Sequence, residues 1–141
     1  MADIAKATDT TGSTERDEHL FIYSIIRADL DMPEGKMSSQ AGHGYTESLF
    51  ACQDMHPELF HRYKHKINAG SKATLVANDA ETLLKVARQC EEAGIAHALF
   101  YDEGHVMPPH FDGSKILTAL GVGPVSRKDA KRIVGKYRLV K

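Results

Sequence analysis

The chain has 141 residues and a formal net charge of −1 with its eight histidines counted as neutral. This length suits one domain that buries about two thirds of its unfolded surface, and it is too short for two ordinary domains. Near-zero charge counts modestly against a tight nucleic-acid binder. No apolar run is long enough to cross a bilayer, and the acidic start lacks the regions of a signal peptide, so we expect a cytoplasmic protein without membrane contact.

The N-terminal segment differs in composition from the rest of the chain. Residues 1–18 are acidic and rich in Thr, Asp and Ala, and they carry too little apolar surface to offset their own ordering entropy. We expect a flexible tail there and a single domain over residues 19–141. The domain opens at His19 to Ala28, where apolar side chains at odd and even positions predict a central strand covered on both faces.

A polar turn with Pro33 and Gly35 leads from this strand into a helix. Spacings of three, four and seven residues place Lys36, Gln40 and His43 on one face of that helix. The helix start directs unpaired N–H groups and the positive end of its dipole into the same space, which favours an anion. The ordinary alternative is a solvated lysine, a neutral helix former and a half-buried histidine.

The same helix contains an unusual stretch of small residues. Glycine costs stability inside a helix, so Gly42 and Gly44 need a packing or binding reason. Small side chains would let the helix lie close to the sheet or let a substrate approach its backbone.

The remaining segments alternate between helices and strands, delimited by apolar periodicity, caps and turn residues. Asn78 or Asp79 caps the third helix, Gly94 ends it, and Asn68 to Gly70 stop the second. This order predicts an α/β fold with three α/β/α layers and a small mixed sheet of about four strands. The predicted elements are helices Lys36 to about Gln53 and His56 to about Ile67, strand Ser71 to Ala77, helix Ala80 to Ala93, strands His97 to Tyr101 and Leu117 to Val122, and helix Ser126 to Tyr137.

Metal binding has weak support in this sequence. His61 and His65 are four residues apart on one helical face, and His56 precedes them, but no carboxylate pattern completes a recognised site. Cys52 and Cys90 lack the close spacing of a metal-ligand pair. We therefore predict no metal site, surface histidines, and reduced, packed thiols.

Ligands of open α/β sheets bind beyond the carboxyl ends of the strands. The first strand ends at the turn before Lys36, and Asp102 leaves the third strand. These two separate segments are therefore expected to converge on one cleft.

Three segments together form a recognisable signature. After an apolar strand, residues 27–43 contain Arg-x-Asp-Leu-x-Met, then Gly-Lys, a methionine and two small residues, Gln, two more residues and His. Residues 98–105 read Ala-Leu-Phe-Tyr-Asp-Glu-Gly-His, and residues 118–124 read Thr-Ala-Leu-Gly-Val-Gly-Pro. Over about residues 20–141 the chain resembles the peptidyl-tRNA hydrolase 2 family, whose three-layer α/β architecture agrees with the predicted fold.

The connection after Gly104 and His105 departs from the family pattern. Thr-Gln and a short Ala-Pro-Gly turn are usual there, whereas this chain reads Val106-Met-Pro-Pro-His-Phe111 in a longer connection. A threonine hydroxyl is therefore missing from that place, while Thr118 matches the later threonine of the family.

The resemblance implies hydrolysis of the ester that joins a peptide to the terminal ribose of tRNA, by water and without a cofactor. Such chemistry needs a positioned water, a group that takes its proton, and donors for the oxyanion. The catalytic residues implied are Lys36, Gln40, His43 and Asp102. The substrate-binding residues implied are Asp29, Gly35, His105, Thr118 and Arg132.

The implied roles differ among these side chains. His43 or Asp102 is expected to orient or deprotonate the water. Lys36 and the Gln40 amide are expected to stabilise the oxyanion or hold a phosphate, since a lysine at a helix start can use the dipole. Asp29 is expected to order the loop.

The implied partner is tRNA, bound through local basic patches. The basic helix from Ser126 to Tyr137 is either a solvated face with Ile133 turned inward or a phosphate-contacting surface. A patch would extend further if the fold brings together Lys36, Arg62, Lys64, Lys66 and Lys115. His105 is expected to contact tRNA or to support a neighbouring residue of the site, and a homodimer is left open.

Two other functions compete with this prediction. A binding module on the same fold that has lost activity is favoured by Val106 and Met107, and fold alone does not imply function. Hydrolysis of another acyl ester or amide is the second. Catalysis predicts an accessible cleft around the four catalytic residues, while a binding module tolerates a cleft plugged by Met107 or Phe111.

Overall fold

The computed structural model describes residues 19–66 and 70–141. The predicted tail over 1–18 and most of the predicted helix stop, at Asn68 and Ala69, lie outside the described residues. The strands are β1 Leu20–Arg27, β2 Ser71–Ala77, β3 His97–Asp102, β4 Val106–Met107, β5 Phe111–Asp112, β6 Ile116–Ser126 and β7 Arg138–Leu139. The helices of this part of the chain are α1 Glu34–Met55, α2 Pro57–His65, α3 Ala80–Ala93 and α4 Arg127–Val134.

The main sheet has five strands in the order β3-β6-β1-β2-β7. β1 and β2 are parallel, and the other neighbouring pairs are antiparallel. The mixed α/β fold is confirmed, but the fifth strand was not predicted. The last helix ends at Val134 rather than Tyr137, and the chain then pairs with β2 through Arg138 and Leu139. Two residues are too few to show the alternation that identifies a strand.

Helices cover both faces of the sheet, which produces the three predicted layers. In β1, Ile22 and Ile26 face α1 and α2, whereas Tyr23 and Ile25 pack in the cluster of α3 and α4. The expected two-sided burial of the first strand is therefore confirmed. β4 and β5 form a separate hairpin between β3 and β6.

α1 lies close to the sheet because glycines meet at the contact. A Cβ atom on Gly44 would overlap the Ser24 hydroxyl of β1, and one on Gly121 of β6 would overlap the Gly44 carbonyl. Ser48 of α1 also donates to the Gly123 carbonyl at 2.6 Å. The predicted packing reason thus applies to Gly44, while a Cβ on Gly42 would meet open space.

Local capping chemistry sets the ends of α3. The Asp79 carboxylate accepts from the Thr82 backbone N–H at 2.9 Å, and Gly94 adopts φ 71°. α1 begins earlier than predicted, with Pro33 as its last non-helical residue. Gly35 therefore lies inside the first turn of α1 rather than in the preceding turn.

Neither thiol is bridged. Cys52 lies in α1 and Cys90 in α3, so the sheet separates them, and both are buried and free. Burial raises the pKa of the Cys52 thiol to about 11 and that of Cys90 to about 12. The prediction of packed, unbridged thiols is confirmed, and their reduced state stays a prediction. Within residues 19–66 and 70–141, no helix combines the length and apolar character needed to cross a membrane.

The sheet topology brings several segment ends to one edge. β1 and β3 both run antiparallel to β6, so their carboxyl ends lie together beside the start of β6. α1 begins at this same edge and packs across β1, β6 and β3. The candidate site is built where these segments meet.

Candidate active site

A lysine–carboxylate pair joins two distant segments at this edge. The Lys36 ammonium, in the first turn of α1, donates to the Asp102 carboxylate at the end of β3 at 2.7 Å. The two side chains remain 12% and 17% exposed, so both groups reach solvent. The structure thus brings together the turn after β1 and the end of β3, the two segments that were expected to meet at the carboxyl ends of the strands.

The hairpin of β4 and β5 supplies an aromatic support for this lysine. Lys36 Nζ lies 4.6 Å from the centroid of the Phe111 ring, which is only 2% exposed. His105 meets the same ring edge-on, with centroids 5.6 Å apart. Phe111 packs with Met107 in the cluster beneath the start of α1. The divergent loop therefore places a ring face against the lysine, a contact that sequence reasoning missed because the loop carries no periodic pattern.

Gln40 and Thr118 form a buried hydrogen bond between α1 and β6. The Thr118 hydroxyl donates to Gln40 Oε1 at 2.5 Å, and both side chains are buried. The register of β3 against β6 pairs Phe100 with Ala119 and Tyr101 with Leu117, so Thr118 is the extra residue of a β-bulge. Such bulges re-aim side chains, and this one turns Thr118 towards α1. The bond fixes the amide orientation of Gln40.

His43 occupies a different environment from Gln40. Its ring is exposed and stacks on Phe100 of β3, with centroids 4.1 Å apart and planes 8° apart. Lys36 and His43 both contact β3, whereas Gln40 is buried against β6. All three side chains therefore face the neighbouring strands β3 and β6, but they differ in exposure, since Gln40 is buried while His43 is exposed.

Asp29 is held by the arginine that ends β1. Arg27 donates to both carboxylate oxygens of Asp29 at 2.9 and 2.7 Å, and to the Leu117 carbonyl at 3.0 Å. The hydrogen bond from Arg27 lowers the pKa of the Asp29 carboxyl. This pair ties the loop before α1 to the start of β6.

The other predicted binding residues are spread more widely. Gly35 is exposed on the first turn of α1, with open space where a Cβ would lie. Lys115 lies beside the site, with its ammonium 5.3 Å from the Tyr101 ring. Arg132 is exposed on α4, which packs on the opposite face of the sheet from α1. The structure therefore does not bring Arg132 to the Lys36 cluster, because the chain crosses the sheet along β6 before α4 begins.

Histidines outside the cluster make ordinary contacts. The rings of His61 and His65 lie 4.5 Å apart, and the His56 Nε2 atom is 2.7 Å from the Gly94 carbonyl. Among the residues that the structure describes, no group of three or more His, Cys, Asp or Glu side chains could hold a metal ion.

The fold and the cluster define a three-layer α/β protein with a polar site at the carboxyl ends of its strands. Residues 20–140 match the family model described as Peptidyl-tRNA hydrolase PTH2, and the chain belongs to this family.

Curated relatives extend the match over most of the chain. A protein named peptidyl-tRNA hydrolase from Thermococcus sibiricus is 30% identical over 82% of this chain and 93% of its own length. One of the same name from Haloquadratum walsbyi is 32% identical over 82% of this chain and 95% of its own length. A bovine protein named peptidyl-tRNA hydrolase 2, mitochondrial, is 26% identical over 82% of this chain and 61% of its own length.

Proposed function

We propose that this protein hydrolyses the ester bond of peptidyl-tRNA and releases a free peptide and a free tRNA. Membership of the family and the names of the curated relatives support this activity. The observation that carries it is the Lys36–Asp102 pair, a cation and a carboxylate in contact at a solvent-reached edge. Phe111 packs against Lys36, and the two side chains of the pair keep 12% and 17% of their surface exposed. The curated relatives are named as hydrolases, and an inactive binding module has no comparable support.

The pair supplies the two groups that ester hydrolysis needs. Asp102 orients a water molecule and accepts its proton as the water oxygen bonds to the ester carbonyl carbon. Lys36 stabilises the negative charge that develops on the carbonyl oxygen. The tetrahedral intermediate then collapses, the bond to the ribose oxygen breaks, and that oxygen takes the proton. Asp102 is favoured over His43 for this role because His43 is stacked on Phe100 rather than paired with Lys36.

Neighbouring residues hold the pair and its substrate. The Thr118–Gln40 bond orients the carboxamide, whose NH₂ end is then the group available as an oxyanion donor. Arg27 and Asp29 order the loop before α1. Gly35 leaves the helix start open to a substrate, and His105 lines the hairpin side. Arg132 has no part in this site.

The cellular setting follows from the substrate. Because peptidyl-tRNA arises during translation, we infer a cytoplasmic enzyme whose catalytic domain spans residues 19–141. The bovine relative whose name includes "mitochondrial" provides the alternative location. Imaging of the tagged full-length chain distinguishes the two.

The direct test is release of free tRNA from an N-blocked aminoacyl-tRNA. We expect turnover by the wild-type protein and a loss of about 10²-fold or more in kcat for Lys36→Ala, the range seen when an oxyanion donor is removed. Lys85→Ala is the matched control, because Lys85 is exposed on α3 at the opposite face.

Binding of the intact ester is followed in parallel. Binding without turnover by the wild-type protein would show a binding module and overturn the proposal. Turnover that survives in Lys36→Ala would contradict the assigned role of Lys36.

A further inference from the structure

A cavity of about 370 Å³ lies beside the Lys36 cluster, between the start of α1 and β7. Its apolar wall includes Ile26, Met32, Met37 and Val76. Ile26 and Met32 are buried, while Met37 and Val76 are half-buried. The recess is therefore built on the folded core rather than on a surface loop, and nothing in the assigned chemistry uses it.

The cavity lies within reach of the reacting bond. Met37 follows Lys36 in the first turns of α1, and Val76 lies in β2 on the far side of β1 from β3. Three interstrand steps separate β2 from β3, about 14 Å at about 4.8 Å each. The cavity and the Lys36–Asp102 pair therefore lie along the same edge of the sheet, close enough for one substrate to contact both.

The rim of the cavity is cationic. Arg138 and Lys141 are exposed there, and within the described residues neither has a carboxylate partner. Arg27 is already paired with Asp29, and Asp31 is the one acidic residue of the lining. A neighbouring cavity shares Val76 and Arg138 and adds Lys136, so the positive charge continues along this edge.

We propose that this cavity binds the 3′-terminal nucleoside of the tRNA, with its 5′ phosphate on Arg138. This inference rests on the proposed function. An apolar recess accepts a base, and a guanidinium at its rim binds a phosphate in bidentate fashion. The peptide half of the substrate carries neutral amides and gains nothing from these cations. The tRNA therefore enters over β2 and β7, and the peptide leaves over the hairpin of β4 and β5.

Adenosine and adenosine 5′-monophosphate (AMP) are the probes for this site, titrated into the full chain and followed by NMR. We expect AMP to shift the signals of Met37, Val76 and Leu139. Arg138→Gln should weaken the binding of AMP by about fivefold or more, because one charge-assisted contact is lost. The affinity for adenosine, which has no phosphate, should stay unchanged. Lys85→Gln removes the same charge from the opposite face and should change neither the AMP affinity nor the adenosine affinity.

Kinetics separate this inference from the proposed function. In tRNA release, Arg138→Gln should raise KM several-fold with kcat nearly unchanged. AMP shifts centred on His105 and Phe111, or an AMP affinity unchanged in Arg138→Gln, would overturn the nucleoside site. If the wild-type protein binds AMP in the cavity but releases no tRNA, the nucleoside site is supported and the proposed hydrolase activity is refuted.

Discussion

At the residue scale, the site depends on contacts that join residues far apart in the chain. Lys36 is held between a carboxylate from β3 and a ring from the hairpin, and these partners restrict its ammonium to one place. Preorganised charge costs no rearrangement during the reaction, which is why such restriction favours catalysis. The ring of Phe111 comes from the loop that departs from the family pattern.

Phe111 should therefore position Lys36 without touching the substrate. Phe111→Leu removes the ring face, and we expect kcat/KM to fall by about twofold to thirtyfold, corresponding to the about 0.5–2 kcal/mol of a cation–π contact. Phe111→Tyr keeps the ring and should retain most of the activity. The upfield ring-current shift of the Lys36 Cε protons should be present in the wild-type protein and lost in Phe111→Leu. Full activity with that shift abolished would refute the positioning role.

At the element scale, the approach of α1 to the sheet sets the depth of the site. Gly44 and Gly121 remove the side chains that would otherwise separate helix from strand. Lys36 reaches β3 and Gln40 reaches β6 only because this spacing is short. An internal glycine lowers the intrinsic stability of the helix, and close packing against the sheet offsets that loss.

Two substitutions in α1 test this packing against helix propensity. Gly44→Ala should lower the free energy of unfolding by about 1–3 kcal/mol, because overpacking against Ser24 outweighs the gain in propensity. Gly42→Ala, two residues away in open space, should raise it by up to about 1 kcal/mol. Urea denaturation measures both. Equal stabilisation by the two substitutions would show that α1 does not need the close approach.

At the scale of the whole molecule, the two buried thiols shape the dependence of stability on pH. Their pKa values rise from 9.0 in the unfolded chain to about 11 for Cys52 and about 12 for Cys90. The folded state therefore keeps protons that the unfolded chain loses. Stability from these groups is fully present below pH 9 and falls as the pH rises towards 11 to 12.

Each thiol should contribute a slope of up to about 1.4 kcal/mol per pH unit above its unfolded pKa. We expect the free energy of unfolding to be steady from pH 7 to 8.5 and to decline above about pH 9. Cys90→Ala should start less stable and decline less steeply. Denaturant titrations at successive pH values provide the measurement, and an unchanged slope in Cys90→Ala would contradict the assignment to that thiol.

Elements with local signals were predictable before the fold was known. Asp79 and Gly94 delimit α3 because a cap and a left-handed residue act within one turn of the chain. Apolar side chains at both parities identified β1 as a central strand, since burial on two faces needs both sets. The signature residues indicated the family in the same way, because their order along the chain is itself the signal.

Contacts between distant segments became visible only in the folded chain. The bulge that turns Thr118 to Gln40, the placement of Phe111 under Lys36 and the pairing of β7 depend on register and packing, which no short window of sequence records. Sequence reasoning grouped Arg132 with the site, yet α4 packs on the other face. Local propensities specify helices and strands. Which side chains contact each other depends on how all the elements pack together in the core.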